Sequence, residues 1–202
     1  SSTAVVGAVR DAVAQRAELA GYGVAAVSLA NAAMAVRNAL IVVLFTAGAS
    51  PLVAALAPLG AAIIGSVAVA AVSADWRQDL DIELETPFSM RNALGFGALF
   101  LVVVLLSSVA GAEFGRLGLY AATAVAGLVS SAGAVVSVVL LYRTGSLAAE
   151  GAVVAVTLAT LSSIAVKSAL AATSSNRAFA RQTLRWSAVL GVAVVAAAAA
   201  VL

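Results

Sequence analysis

The sequence contains no cysteine and no histidine. The first absence excludes disulfides and thiolate metal sites, and the second removes the commonest transition-metal ligand and the usual general base. Charge is scarce too: 10% of the 202 residues are Asp, Glu, Lys or Arg, against roughly 25% in a soluble domain. The net charge of +2 comes without any basic run interleaved with aromatics, which argues against nucleic acid as a partner. No buried acid pair and no nucleophile–base constellation can be assembled. An enzyme is therefore not expected, nor a cofactor or a bound metal.

What is abundant is apolar: 63% of the residues, with a mean hydropathy of +1.12. Sustained runs of roughly 18 or more apolar residues read as bilayer-spanning helices. Nothing alternates over roughly 10-residue segments as a membrane barrel would. The expected fold is all-α: a polytopic transmembrane helix bundle filling residues 1–202 as a single domain. Its helical elements lie at about 1–19, 22–47, 51–73, 88–110, 117–142, 150–173 and 184–202, seven in all. Pro51 is placed to start the third helix and Ser89 to cap the fourth, while residues 111–118 read as a tight polar turn.

Residues 74–92 are the one clearly aqueous segment. They set Asp75, Asp79, Asp81, Glu83 and Glu85 against Arg77 and Arg91, with Trp76 as an interfacial anchor. The acidic spacing matches no calcium loop, so this segment reads as solvated. Counting one crossing per element places Arg10, Arg16, Arg77, Arg91 and Arg143 on one side of the membrane. Arg116, Arg177, Arg181 and Arg185 fall on the other. The second group sits in short loops with only Glu113 against it, and that side is expected to be cytoplasmic.

One eight-residue stretch occurs twice. Ala33-Met34-Ala35-Val36-Arg37-Asn38-Ala39-Leu40 and Ser163-Ile164-Ala165-Val166-Lys167-Ser168-Ala169-Leu170 share four identities and keep one basic position, at an offset of 130 residues. The similarity extends further. Ala26-Val27-Ser28-Leu29-Ala30 matches Ala155-Val156-Thr157-Leu158-Ala159, and Ser1-Ser2-Thr3-Ala4-Val5-Val6 matches Ser130-Ser131-Ala132-Gly133-Ala134-Val135-Val136. An internal repeat is expected, with copies at 1–73 and 94–202. The copies share one orientation if every element crosses once, and become inverted if the fifth helix is re-entrant. Internal repeats of either kind recur in transporters. The partner of the fourth helix would lie before Ser1, so an upstream segment is expected. Arg10, Asp11, Arg16 and Glu18 interrupt residues 1–20 too often for a signal peptide.

A family resemblance rests on ordered short motifs. Thr86-Pro87-Phe88-Ser89-Met90-Arg91 leads into an apolar helix. Phe114-Gly115-Arg116-Leu117-Gly118-Leu119-Tyr120 and Gly127-Leu128-Val129 follow, then Leu161-Ser162-Ser163 and Lys167. This order resembles the C-terminal membrane domain of MgtC/SapB-family proteins, a domain of unknown function. The resemblance covers nearly the whole chain and implies a polytopic protein of the prokaryotic inner membrane. The magnesium association in the family name belongs to a different, N-terminal domain absent here. Family members often carry two acidic residues just after the Gly-Leu-Val stretch. This chain has Ser130 and Ser131 there, and so lacks the obvious midplane cation ligands.

The candidate site follows from cost. A basic residue at the centre of a span costs roughly 2.5 to 3.5 kcal/mol on insertion scales, and such residues face a bundle interior or a watery cavity. Arg37 and Lys167, each with a polar neighbour in Asn38 and Ser168, are therefore candidate substrate-binding residues. Ser130 and Ser131 join them: either can cap a new half-helix whose free N–H groups favour anions. The structural alternative is that the basic residues cap carbonyls or snorkel, and that the small residues serve close packing. Two functions remain open. One is a transporter- or channel-like protein for a small ion or solute. The other is a non-transporting assembly subunit or regulator, for which Ala- and Gly-rich spans suit tight association with a second copy or another membrane protein. The bilayer is the expected partner in both.

Overall fold

The computed structural model describes the backbone of residues 2–46, 51–74 and 90–202, and their side chains except at 17 and 90–114. The described residues are helical with no strand. In order they form α1 (Ser2–Gln15), a 3-10 turn (Ala17–Leu19), α2 (Ala20–Thr46), a second 3-10 turn (Pro51–Ala55), α3 (Leu56–Ser73), α4 (Met90–Arg143), α5 (Ala149–Ala172) and α6 (Arg177–Ala199). Five stretches are long and apolar enough to cross a membrane: Ala20–Thr46, Pro51–Ser73, Gly115–Arg143, Ala149–Ala172 and Arg177–Ala199. The chain is a multi-pass membrane protein on that ground. The described part of α1 is 14 residues long.

The helix ends are written in local chemistry. The Asn176 side chain accepts from the Phe179 N–H at 3.1 Å and starts α6. The helix thus begins several residues before the expected 184 and takes Arg177 and Arg181 into its first turns. Gly145, at φ +73°, closes α4: Ser146 N–H donates to the Leu141 carbonyl and Gly145 N–H to that of Tyr142. This is the Schellman pattern, which needs a left-handed residue that glycine supplies without strain.

The fourth and fifth expected helices form one run, α4, broken by non-helical residues at Gly115 (φ +58°, ψ −142°) and Ser130 (φ −155°, ψ +103°). The expected polar turn at 111–118 is therefore a kink in a helix. The break at Ser130 turns the chain back. Tyr120 before it and Leu147 after it both meet the Gly151 position, at 3.3 and 2.8 Å from where a Cβ would stand. Leu147 N–H in turn donates to the Leu141 carbonyl. In a straight helix Tyr120 and Leu141 would stand about 30 Å apart. Both arms therefore lie along the first half of α5. Leu119, Ala126, Val135 and Val139 share one core with Ala152, Val156 and Ala159.

The doubling back overturns the expected sidedness. Arg10 on α1 donates to Thr173 at the end of α5, and the Asn176 side chain donates to the Val13 carbonyl. The end of α1, the start of α2 and the end of α5 thus share one face of the bundle, the near side. Gly21 packs on the Ser73 carbonyl and brings the end of α3 there as well. Arg10 and Arg16 lie with Arg177 and Arg181, not opposite them, while Arg116, which donates to Tyr120, lies on the far side with Arg143. The reason is that Gly115–Arg143 enters and leaves on one side, so the crossing count shifts by one. It also follows that α2 and α5 run antiparallel. The acidic segment, Trp76, the turn at 47–50 and the Ser89 cap lie outside the described residues.

Candidate functional site

The two basic residues take their partners from opposite halves of the chain. Lys167, with 0% exposure, stands on the buried stripe of α5 that also carries Thr160, Ser163 and Ile164. Its Nζ donates to Asn31 Oδ1 on α2 at 3.1 Å. Asn31 belongs to the buried stripe of α2 with Met34, Ala35, Asn38 and Val42. Arg37 sits six residues further along α2, about 9 Å deeper. It is exposed at the flank of the bundle, and its Nη2 donates to Ser131 Oγ at 3.3 Å.

Ser130 and Ser131 have separate tasks. Ser130 is the extended residue at the break, and its Oγ accepts from the Gly133 N–H at 3.3 Å. This is an N-cap for the returning arm, Ser131 being its first helical residue. Ser131 is 2% exposed and accepts from Arg37. A guanidinium and a positive helix N-terminus therefore meet at one hydroxyl.

The two remaining expected residues differ. Asn38 is fully buried; its Nδ2 donates to Met34 Sδ at 3.3 Å, and its Oδ1 has no hydrogen-bond partner among the described residues. The Ser168 hydroxyl donates to the Ile164 carbonyl of its own helix at 2.8 Å. That is the usual fate of a serine inside a span, so Ser168 offers this site an acceptor and no free donor. Asn31 is the residue the sequence reading passed over. Its signal was spacing: Asn31, Met34 and Asn38 stand at i, i+3 and i+7 on one face of a helix.

No carboxylate balances this charge among the described side chains. Asp11 pairs with its neighbour Arg10 at 2.6 Å, and Glu18 and Glu150 are exposed at helix ends. No group of three or more His, Cys, Asp or Glu residues stands together among the described residues. The arrangement is thus a set of donors and positive ends, suited to a ligand with negative charge or acceptor atoms.

A small cavity with a mixed polar and apolar wall adjoins the site. It is bounded by Ser28 and Asn31 of α2, Ser66 of α3, and Thr183 and Ser187 of α6. It opens on Asn31, the partner of Lys167, rather than between Arg37 and Ser131. A family model described as a domain of unknown function (DUF4010) matches residues 1–175. No curated protein and no solved structure matches the chain.

Proposed function

The chain belongs to the DUF4010 family, and from that premise and its geometry we propose a transporter- or channel-like membrane protein for a small anionic ion or solute. The observation that carries this is the meeting of Arg37, Ser131 and the N-terminus of a broken half-helix, in a bundle that also buries Lys167 fully, with none of the described carboxylates, Asp11, Glu18 and Glu150, paired to either cation. An ammonium buried with one neutral amide is unfavourable by several kcal/mol, and a guest anion would offset that. Half-helix N-termini aimed at anionic groups near the midplane are the usual transporter solution.

Further features support the reading. A helix followed by two long spans occurs twice, as α1, α2, α3 and as the returning arm of α4, α5, α6. The helices that carry the duplicated stretch run antiparallel, as an inverted repeat requires. Ser28 and Thr157, matched in that repeat, donate to Val24 and Val153 in the same way, each at 2.8 Å. The motif order resembles the C-terminal membrane domain of MgtC/SapB-family proteins, and that resemblance supports placement in the plasma membrane of a prokaryote. Arg10, Arg16, Arg177, Arg181 and Arg185 gather on the near side against Arg116 and Arg143 on the far side, which makes the near side cytoplasmic.

The rival reading, a non-transporting subunit, draws on α6, whose Leu184, Val189, Val192 and Val195 are all exposed as a partner-binding face would be. Flux separates the two. The chain reconstituted in liposomes should pass small anions such as chloride or phosphate, and Arg37→Gln should lower that flux about tenfold or more, the worth of one charge-assisted contact. If neither the intact chain nor the variant changes any anion flux, the subunit reading takes its place.

A further inference from the structure

Two buried hydroxyls have no partner. Ser66 Oγ on α3 and Thr183 Oγ1 on α6 are 0% and 2% exposed, and neither has a hydrogen-bond partner among the described residues. A buried hydroxyl left unpaired costs about 1 to 3 kcal/mol, so two in one place call for a guest. Both line the cavity beside Asn31, together with Ser28, Ser187 and the apolar Val27, Val69 and Leu190. The cavity measures about 10 Å³, the size of one water molecule. A halide would not fit, and a cation would stand beside the Lys167 ammonium.

A second feature gives the guest a way in. On the near side a groove of about 590 Å³ is lined by Gly21, Ser73, Gln182, Arg185 and Trp186. Trp186 also lines the small cavity. One indole thus belongs to the walls of both an interfacial groove and the small chamber that reaches Asn31, the partner of Lys167.

We propose that the chamber between α2, α3 and α6 is a binding site for a single water, which bridges Ser66 and Thr183 and is supplied from the near-side groove past Trp186. It brings near-side water as far as Asn31, the hydrogen-bond partner of Lys167. The site requires no particular transported species, so it stands or falls apart from the anion reading.

The chain has no cysteine, so introduced thiols report alone. Thr183→Cys in liposomes should be oxidised to the sulfenic acid by hydrogen peroxide, a neutral reagent little larger than water, at least about tenfold faster than Val192→Cys, because a thiolate forms only where water reaches. Val192 is 71% exposed on the outer face of α6. Adding Trp186→Ala should raise the Thr183→Cys rate further and leave the Val192→Cys rate unchanged. Ser187→Cys provides the same test if Thr183→Cys does not fold. Equal, slow rates at positions 183 and 192, with and without Trp186, would overturn the passage. The water itself is read by melting temperature: Ser66→Ala and Thr183→Val should each lower it, and together lower it by less than their sum. A rise in either single variant means a dry chamber and overturns the site.

Discussion

Removing the Lys167 charge should stabilise the protein, whereas removing its partner should destabilise it. Lys167 is fully buried and its single described hydrogen bond is to the neutral Asn31 amide at 3.1 Å. A hydrogen bond to a charged group returns about 1.5 to 3 kcal/mol, less than the several kcal/mol spent in desolvating an ammonium. Lys167→Met nearly keeps the length of the side chain and drops the charge; the several kcal/mol of desolvation it relieves exceed the about 1 to 3 kcal/mol for the Asn31 amide left unpaired, so it should raise stability by about 1 kcal/mol or more. Asn31→Leu strips the ammonium of its acceptor and should cost about 3 to 5 kcal/mol. The double variant should return close to the parent, giving a large coupling energy of the sign expected for residues in contact. Reversible unfolding in detergent–lipid mixtures, followed by tryptophan fluorescence, measures all three. If Lys167→Met loses as much as Asn31→Leu and the two losses simply add, then Lys167 is a structural tether and the premise of an uncompensated charge is wrong.

Two further outcomes test the elements that build the site. Ser130→Ala removes the cap of the returning arm and should cost about 1 kcal/mol, against a few tenths for Ser130→Gly, whose backbone tolerates the break; equal costs would mean that the hydroxyl caps nothing. Gly127 lies so close to α5 that an added Cβ would stand 2.7 Å from the Ala159 carbonyl oxygen and 2.8 Å from its Cα. Gly127→Ala should therefore push α4 off α5 and cost about 1 to 3 kcal/mol in thermal unfolding, and a neutral result would place α4 elsewhere.

The bundle and the basic residues were legible from composition and repetition, because a charge inside an apolar run and a residue pattern copied at a fixed offset are both local signals. The reading of the Gly127–Gly133 stretch as a break capped by serine was local too, and the backbone at Ser130 has that form. Sidedness was not legible. Whether Gly115–Arg143 crosses or returns depends on where Tyr120 and Leu147 pack on α5, a tertiary fact that hydropathy does not encode. That one element moved Arg10, Arg16 and Arg116 to the opposite faces. The partners were equally hidden. Asn31 and Ser131 stand 136 and 94 residues from the cations they bind, and only the antiparallel pairing of α2 with α5 and the return of α4 bring them there. The unpaired Ser66 and Thr183 read in sequence as single polar residues in apolar helices, which are usually satisfied by their own backbone.

The sign of the site can be tested by building the missing charge into the chain. Ser131 is the first residue of the returning arm, 2% exposed, and its Oγ lies 3.3 Å from Arg37 Nη2. A carboxylate at this position would meet the guanidinium in a charge-assisted pair, and the helix N-terminus would add about 0.3 to 1 kcal/mol in its favour. Ser131→Asp should therefore raise the melting temperature in lipid, even though it buries an acid. It should also abolish anion flux, because its own carboxylate takes the place of the guest. Ser131→Asn is the control of equal size: it should leave stability near the parent value and keep part of the flux. A carboxylate facing no positive charge would cost several kcal/mol when buried. A destabilised Ser131→Asp would thus show that Arg37 and the half-helix do not converge on this hydroxyl in the membrane. A stable variant with undiminished anion flux would show that they converge on nothing that the chain transports.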